Sequence, residues 1–254
     1  MILREIKRLG FTHRIGAKQM HLFALGIFMS FFVSQSASAQ DGQFWGEFRP
    51  GYMWNDKWVG QLGVGYRQFY GSQEWHRYYV HPMVRYNVSK RWNIRAGLNT
   101  IYNTYQKEQN HLEIRPYLGV GLKWPIIEWM DVNHYARVEE RISRYSEEAA
   151  TELVTRGRYK VDTRIPLWRI SKENLYFLMA YGELFFNMGG EADEVFRNRN
   201  RFGAGIGMVS KSKWSYTLLF NYQKTRQATD GEFDRHDFFT QIRIAYTWKK
   251  KTKE

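Results

Sequence analysis

Alternating arginines and acids carry the chemistry of this chain. Arg137, Glu139 and Arg141 stand at every second position, and Arg156, Arg158, Lys160, Asp162 and Arg164 repeat that spacing further along. Residues two apart point the same way on a β-strand, so each set lines one face. If the two stretches are consecutive antiparallel strands, the sets confront each other, and a glutamate between arginines forms a ladder of charge-assisted hydrogen bonds. Such a ladder has two uses. Rings of Arg and Lys act as anion sites or filters, whereas a narrow barrel also fills its interior with charges that simply neutralise one another. Glu113, Arg115, Glu183, Arg201 and Arg243 share the parity of the ladder within their own segments, and bases outnumber acids beyond what neutralisation needs.

Catalytic chemistry has no comparable pattern. A hydrolase needs a nucleophile with a positioned base. His76, His81, His111, His134 and His236 are present, with Ser72, Ser143 and Ser146, but no G-x-S-x-G elbow or H-x-x-x-H pair occurs. His81 reads as an inward wall residue and His134 as outward, both structural. Neither Asp56-Lys57 nor Gly189–Glu194 has the ligand spacing of a calcium loop or the Lys-Ser/Thr of a phosphate loop. With no cysteine there is no disulfide, thiolate metal site or thiol nucleophile. The sequence thus predicts no catalytic residues, no metal and no cofactor, and a protein that is not an enzyme.

The elements that must hold these charges are strands. From Leu112 to Trp124, the residues Leu112, Ile114, Pro116, Leu118, Val120, Leu122 and Trp124 share one parity, while Glu113, Arg115, Tyr117 and Lys123 take the other. One face is oily and one wet. The same reading predicts strands at Phe44–Met53, Trp58–Tyr70, Arg77–Val88, Trp92–Tyr105, His111–Trp124, Asp131–Ile142, Arg156–Ile165, Leu175–Asn187, Arg199–Val209, Trp214–Gln223 and Asp237–Trp248. Outside the first, irregular segment, Glu140 is the one charge that falls on the outward parity.

This is the requirement of a transmembrane β-barrel, apolar toward lipid and polar toward a lumen. Trp58, Tyr70, Trp92, Tyr105, Trp124, Trp214 and Trp248 stand near segment ends, where an aromatic girdle would lie. Connections alternate between tight ones (Asn55–Lys57, Ser89–Arg91, Ser210–Lys213) and long ones (Ser143–Thr155, Met188–Asn198, Lys224–His236), and long loops face outward in outer-membrane barrels. Pro82 and Pro116 interrupt simple strands and predict bulges or strand ends. An even count is expected of such barrels. Either Phe44–Met53 does not span, giving ten strands, or two strands have merged, giving twelve. The fold class is therefore all-β, an antiparallel transmembrane barrel of 10–12 strands after a cleaved signal peptide.

The signal peptide is read from Leu22–Val33, an apolar run too short to span a bilayer, followed by the A-x-A site Ala37-Ser38-Ala39. The expected domains are 1–39, removed, and 40–254, a single barrel. Met20 directly precedes the run, so residues 1–19 are either upstream of the true start or a long basic n-region. The formal charge of the whole chain is +13. An exported protein meets little nucleic acid, so the expected partners are outer-membrane lipid, lipopolysaccharide and small anionic solutes.

Several stretches in order, Glu113-Ile-Arg-Pro-Tyr117, His134-Tyr-Ala-Arg-Val-Glu-Glu-Arg141, Arg156-Gly-Arg-Tyr159 with Arg164-Ile-Pro-Leu167, Gly182-Glu-Leu-Phe-Phe-Asn187 and Asn200-Arg-Phe-Gly-Ala-Gly-Ile-Gly207, resemble domain of unknown function 2490. The resemblance covers nearly all of the chain after Ala39. It implies a barrel in the outer membrane of Gram-negative bacteria and carries no activity or catalytic residue to transfer. Three functions stay open: a small channel for anionic solutes with a basic lumen, a closed structural or interaction barrel working through extracellular loops, and an envelope enzyme acting on lipid or lipopolysaccharide.

Overall fold

The computed structural model describes residues 42–249 apart from 71–74, 107–108, 128–129, 146–150, 172–173, 189–195 and 226–234. The chain divides into two units, Met1–Ala39 and Gln40–Glu254. The expected signal peptide lies outside the described residues.

Eleven strands run in chain order: β1 (Gly42–Met53), β2 (Trp58–Tyr70), β3 (Trp75–Asn87), β4 (Trp92–Tyr105), β5 (His111–Ile127), β6 (Met130–Tyr145), β7 (Thr151–Ser171), β8 (Asn174–Met188), β9 (Phe196–Ser210), β10 (Trp214–Thr225) and β11 (Arg235–Lys249). They close into one barrel in sequence order. Consecutive strands pair antiparallel, and β1 closes on β11 parallel, from Gly42↔Phe238 to Met53↔Lys249. The count is neither ten nor twelve. An odd number of alternating strands leaves one pair running the same way, and β1 accepts that role because both its edges are paired along nearly its whole length. It is a regular strand, with Gln43, Trp45 and Glu47 buried and Phe48 and Tyr52 exposed.

Local chemistry fixes the tight turns. Asn55 Oδ1 accepts from the backbone N–H of Lys57 and Trp58 at 2.9 and 2.8 Å, closing β1 to β2. Ser89 Oγ accepts from Arg91 and Trp92 at 3.2 and 3.0 Å, closing β3 to β4. Side-chain acceptors of this kind mimic a backbone turn. Between β9 and β10, Lys213 takes φ 68°, the left-handed region a side chain seldom enters. The turns at this end take two to four residues and the connections at the other end four to nine. The predicted loop Ser143–Thr155 is mostly strand, since Arg144 pairs with Thr151 across β6 and β7.

Pro82 and Pro116 do not mark bulges. Pro82 pairs with Leu62, Pro116 with Leu98, and register runs unbroken past both. Their outward rings cost only rungs on the second neighbour, where His81 and Pro82 lack partners on β4, and Arg115 and Pro116 lack partners on β6. Register shifts occur instead beside Pro125, Pro166, Arg169 and Phe185.

The outer face is apolar: Leu62, Val80, Val84, Leu98, Leu118, Val138 and Ile206 are all exposed. Trp58, Trp92, Trp124 and Trp248 are exposed at the tight-turn end. Trp58 packs on Tyr86 and Trp214 on Tyr246, with ring centroids 4.8 and 4.9 Å apart. Tyr105 leaves the expected girdle, because it shares the parity of buried Ile101 and Asn103 and stacks on His111 at 5.6 Å. The side chain of Tyr70 lies outside the described residues.

Candidate functional site: the charged lumen

Every second residue of each strand turns into the lumen, and four glutamates organise the arginines there. Glu139 on β6 accepts from Arg137 at 2.6 Å, from Arg156 and, more loosely, from Arg158 at 3.4 Å. Arg158 also reaches Glu183 on β8, which takes Arg201 of β9 at 3.3 Å. Arg201 donates to Gln223 Oε1 at 2.7 Å, and Gln223 donates to Asp237 at 3.0 Å. One chain of contacts thus crosses six strands, from β6 to β11. Each of the four glutamates, Glu47, Glu113, Glu139 and Glu183, serves two or more guanidinium groups, which satisfies lone pairs that would be costly to bury unpaired.

The predicted ladder is distributed more widely than one hairpin. Across β6 and β7, Glu139 opposes Arg156 and Arg137 opposes Arg158, but Arg141 opposes Val154 and turns to Glu113 on β5 at 2.5 Å. Glu113 is also paired with Arg115. Lys160 stands opposite Tyr135 and Asp162 opposite Asn133, and the Lys160–Asp162 approach is a loose 3.8 Å. Arg164 lies over the Phe177 ring at 5.2 Å and stands opposite Asp131 in the register of β6 and β7. Arg243 meets Glu47 of β1 at 3.1 Å.

Glu47 and Arg49, paired at 2.8 Å, belong to the site and escape the sequence reading, which set the first segment aside as irregular. Their signal was present: Gln43, Trp45, Glu47 and Arg49 alternate with Phe44, Gly46 and Phe48. Aromatic rings form a second class of partner. Trp45 is stacked on Phe239 with centroids 3.8 Å apart and carries Arg67 over its ring at 3.8 Å. Arg156, Arg158, Arg199 and Arg201 all approach the Phe185 ring, at 5.2, 4.6, 5.6 and 5.0 Å. Guanidinium groups over aromatic faces need no carboxylate. His81 donates to or accepts from Tyr117 Oη at 2.8 Å on the lumen wall, while His134 pairs outside with Tyr159 Oη at 2.7 Å.

The lumen is filled unevenly. Its most buried residues include Phe69, Ile101, Glu113, Arg156 and Phe185, none more than 2% exposed, and all sit in the strand halves next to the longer loops. Nearer the tight turns Phe177, Met179 and Leu219 pack into a buried apolar cluster, and around mid-barrel the side chains line a cavity of about 210 Å³. Eight bases line it, Arg49, Arg67, Arg95, Arg137, Arg158, Lys160, Arg201 and Arg243, against Glu47, Asp162 and Glu183. Two glycines keep it open. A Cβ on Gly97 would meet Tyr117 at 2.6 Å and one on Gly203 would meet Tyr181 at 2.3 Å, so each ring lies flat on the wall instead of projecting inward.

Fold and interior together define a closed β-barrel with an oily outside and a basic, charge-lined inside. The chain belongs to the family described as protein of unknown function (DUF2490), which matches residues 42–235. No curated protein matches the sequence. Among solved structures the chain is similar to LpxR from Salmonella typhimurium, at 10% identity over 75% of this chain and 83% of that one, with a TM-score of 0.48. It is similar to the NanC porin at 10% identity over 80% and 96% of the two chains, with a TM-score of 0.47. The translocator domain of the autotransporter NalP from Neisseria meningitidis shares 13% identity over 85% and 95%, with a TM-score of 0.44.

Proposed function

We propose that this protein is an outer-membrane β-barrel whose basic lumen passes small anionic solutes. The membrane setting is supported by the exposed apolar belt, by tryptophans at the tight-turn ends of the strands and by the A-x-A segment that precedes the barrel. Lipid and lipopolysaccharide are then the neighbours of the outer face. The lumen charge ladder, Arg137, Glu139, Arg141, Arg156, Arg158, Lys160, Asp162 and Arg164, would act as its selectivity wall, with Glu113, Arg115, Glu183, Arg201 and Arg243.

The observation that carries the solute reading is the eight-to-three excess of bases around the cavity. Fixed positive charge in a low-dielectric cleft concentrates anions and repels cations. Reversal potentials in planar bilayers across a potassium chloride gradient test it, and anion preference is the expected sign. Cation preference overturns the reading. A second reading, a closed barrel working through its loops, is favoured by the packing of Glu113, Arg156 and Phe185 across the loop end, and complete absence of conductance would select it.

A further inference from the structure

We propose that the cavity is a binding site for one small oxyanion carrying two or more negative charges, of the phosphate-ester or pyrophosphate class, taken from solution. The inference rests on the anion-solute reading of the lumen, but it does not require that the lumen conduct.

Three observations carry it. The first is charge. Around the cavity the bases exceed the acids by five, as eight against three, so a monovalent ion would leave most of that excess unmet, whereas a polyvalent one meets much of it in a single event. The second is that part of the excess is held in reserve. Among the described residues Arg67 and Arg95 reach no carboxylate. Arg67 lies between the Trp45 and Tyr79 rings at 3.8 and 4.9 Å. Arg95 donates to Asn93 at 2.8 Å and covers Tyr135 at 4.5 Å. The Nε atoms of Arg67 and Arg137 are buried without a hydrogen-bond partner. Buried donors left unmade are expensive, and the guanidinium fork matches the spacing of phosphate oxygens.

The third is size. At about 210 Å³ the cavity falls short of the roughly 300 Å³ at which pockets for drug-sized ligands begin. That volume matches a small oxyanion better than a nucleotide or an acyl chain. A lipid headgroup has no route to it, since the closed strand wall stands between cavity and bilayer. Trp45, Tyr117, Tyr135 and Tyr181 supply flat walls, suited to the carbon skeleton of a phosphorylated sugar.

Titration calorimetry on the full barrel in non-ionic detergent and phosphate-free buffer decides the matter, with inorganic pyrophosphate as probe and acetate at matched ionic strength as the monovalent comparison. One saturable pyrophosphate site is expected, with no saturable acetate binding. Arg67→Gln and Arg95→Gln orphan no carboxylate, so the barrel should fold, as heat-modifiable gel mobility would report. Each should weaken pyrophosphate binding about tenfold or more, the loss of one charge-assisted contact. Lys90→Gln removes a charge from the exposed turn between β3 and β4, outside the cavity, and should leave binding within about twofold. Absence of saturable binding, equal binding of acetate, indifference to both cavity variants, or an equal effect of Lys90→Gln overturns the proposal. Binding without conductance would sink the channel and spare the site, and conductance without binding would do the reverse.

Discussion

Glu139 and Arg115 are both buried and both charged, yet their removal should differ in cost. Glu139 takes Arg137, Arg156 and Arg158, so Glu139→Gln takes the carboxylate from Arg137 and Arg156 and leaves Arg158 with Glu183 alone. Breaking a buried ion pair from one side typically costs about 3–5 kcal/mol, and that range is expected here in reversible unfolding from detergent or thin bilayers. Arg115→Gln differs because Glu113 keeps Arg141 at 2.5 Å. One hydrogen bond is lost without stranding its acceptor, at about 1–2 kcal/mol. Equal losses at the two positions would mean that the lumen hydrates freely and that its charges do not depend on one another.

At the scale of the strand, parity is the organising fact. On β5, Tyr117 faces the lumen and Leu118, 60% exposed, faces out beside Ala96 and Val138. Leu118 lies near the middle of its strand, so it should meet the hydrocarbon core. Leu118→Arg should then cost about 2–4 kcal/mol, the range for arginine at the bilayer midplane. A one-residue slip would exchange inside and outside along the whole strand, so a harmless Leu118→Arg would show that the faces are reversed. Parity also explains Pro82 and Pro116: each places its ring on the oily side and forgoes rungs with only one neighbour, so the strand passes through without a bulge.

The whole molecule is set by its closure. A parallel β1–β11 seam sends the two strands in one direction, so Gly42 and Lys249 lie at opposite ends of the barrel. The seam makes a sharp prediction, aided by the absence of native cysteine. Phe44 is registered with Thr240 and Phe48 with Ile244. Cysteine pairs at 44/240 and at 48/244 should both oxidise to intramolecular disulfides, because parallel strands keep equal offsets. An antiparallel seam would bring together at most one of the two pairs. Non-reducing gels of the two double variants read this directly, and formation of only one disulfide would replace the eleven-strand closure with another.

Much of this was legible in the chain before any fold was built. The period-two pattern set the strands and the faces of Leu118, Arg115, Glu139 and Arg201, because alternation is a property of the strand itself and needs no partner. Asn55 and Ser89 declared their turns for the same local reason. What the sequence could not settle depended on which strands meet. Whether Phe44–Met53 is a full strand turns on finding edges on both sides, and those edges come from β2 and from β11, at the far end of the chain. Arg141 stands two residues from Glu139 in sequence, yet its partner is Glu113 on the other neighbouring strand. Register between strands decides such pairings, and register is fixed only when the barrel closes. The cavity is the extreme case: its wall draws on Glu47 and Arg49 at one end of the barrel sequence and on Gln241 and Arg243 at the other, residues brought together by the seam alone.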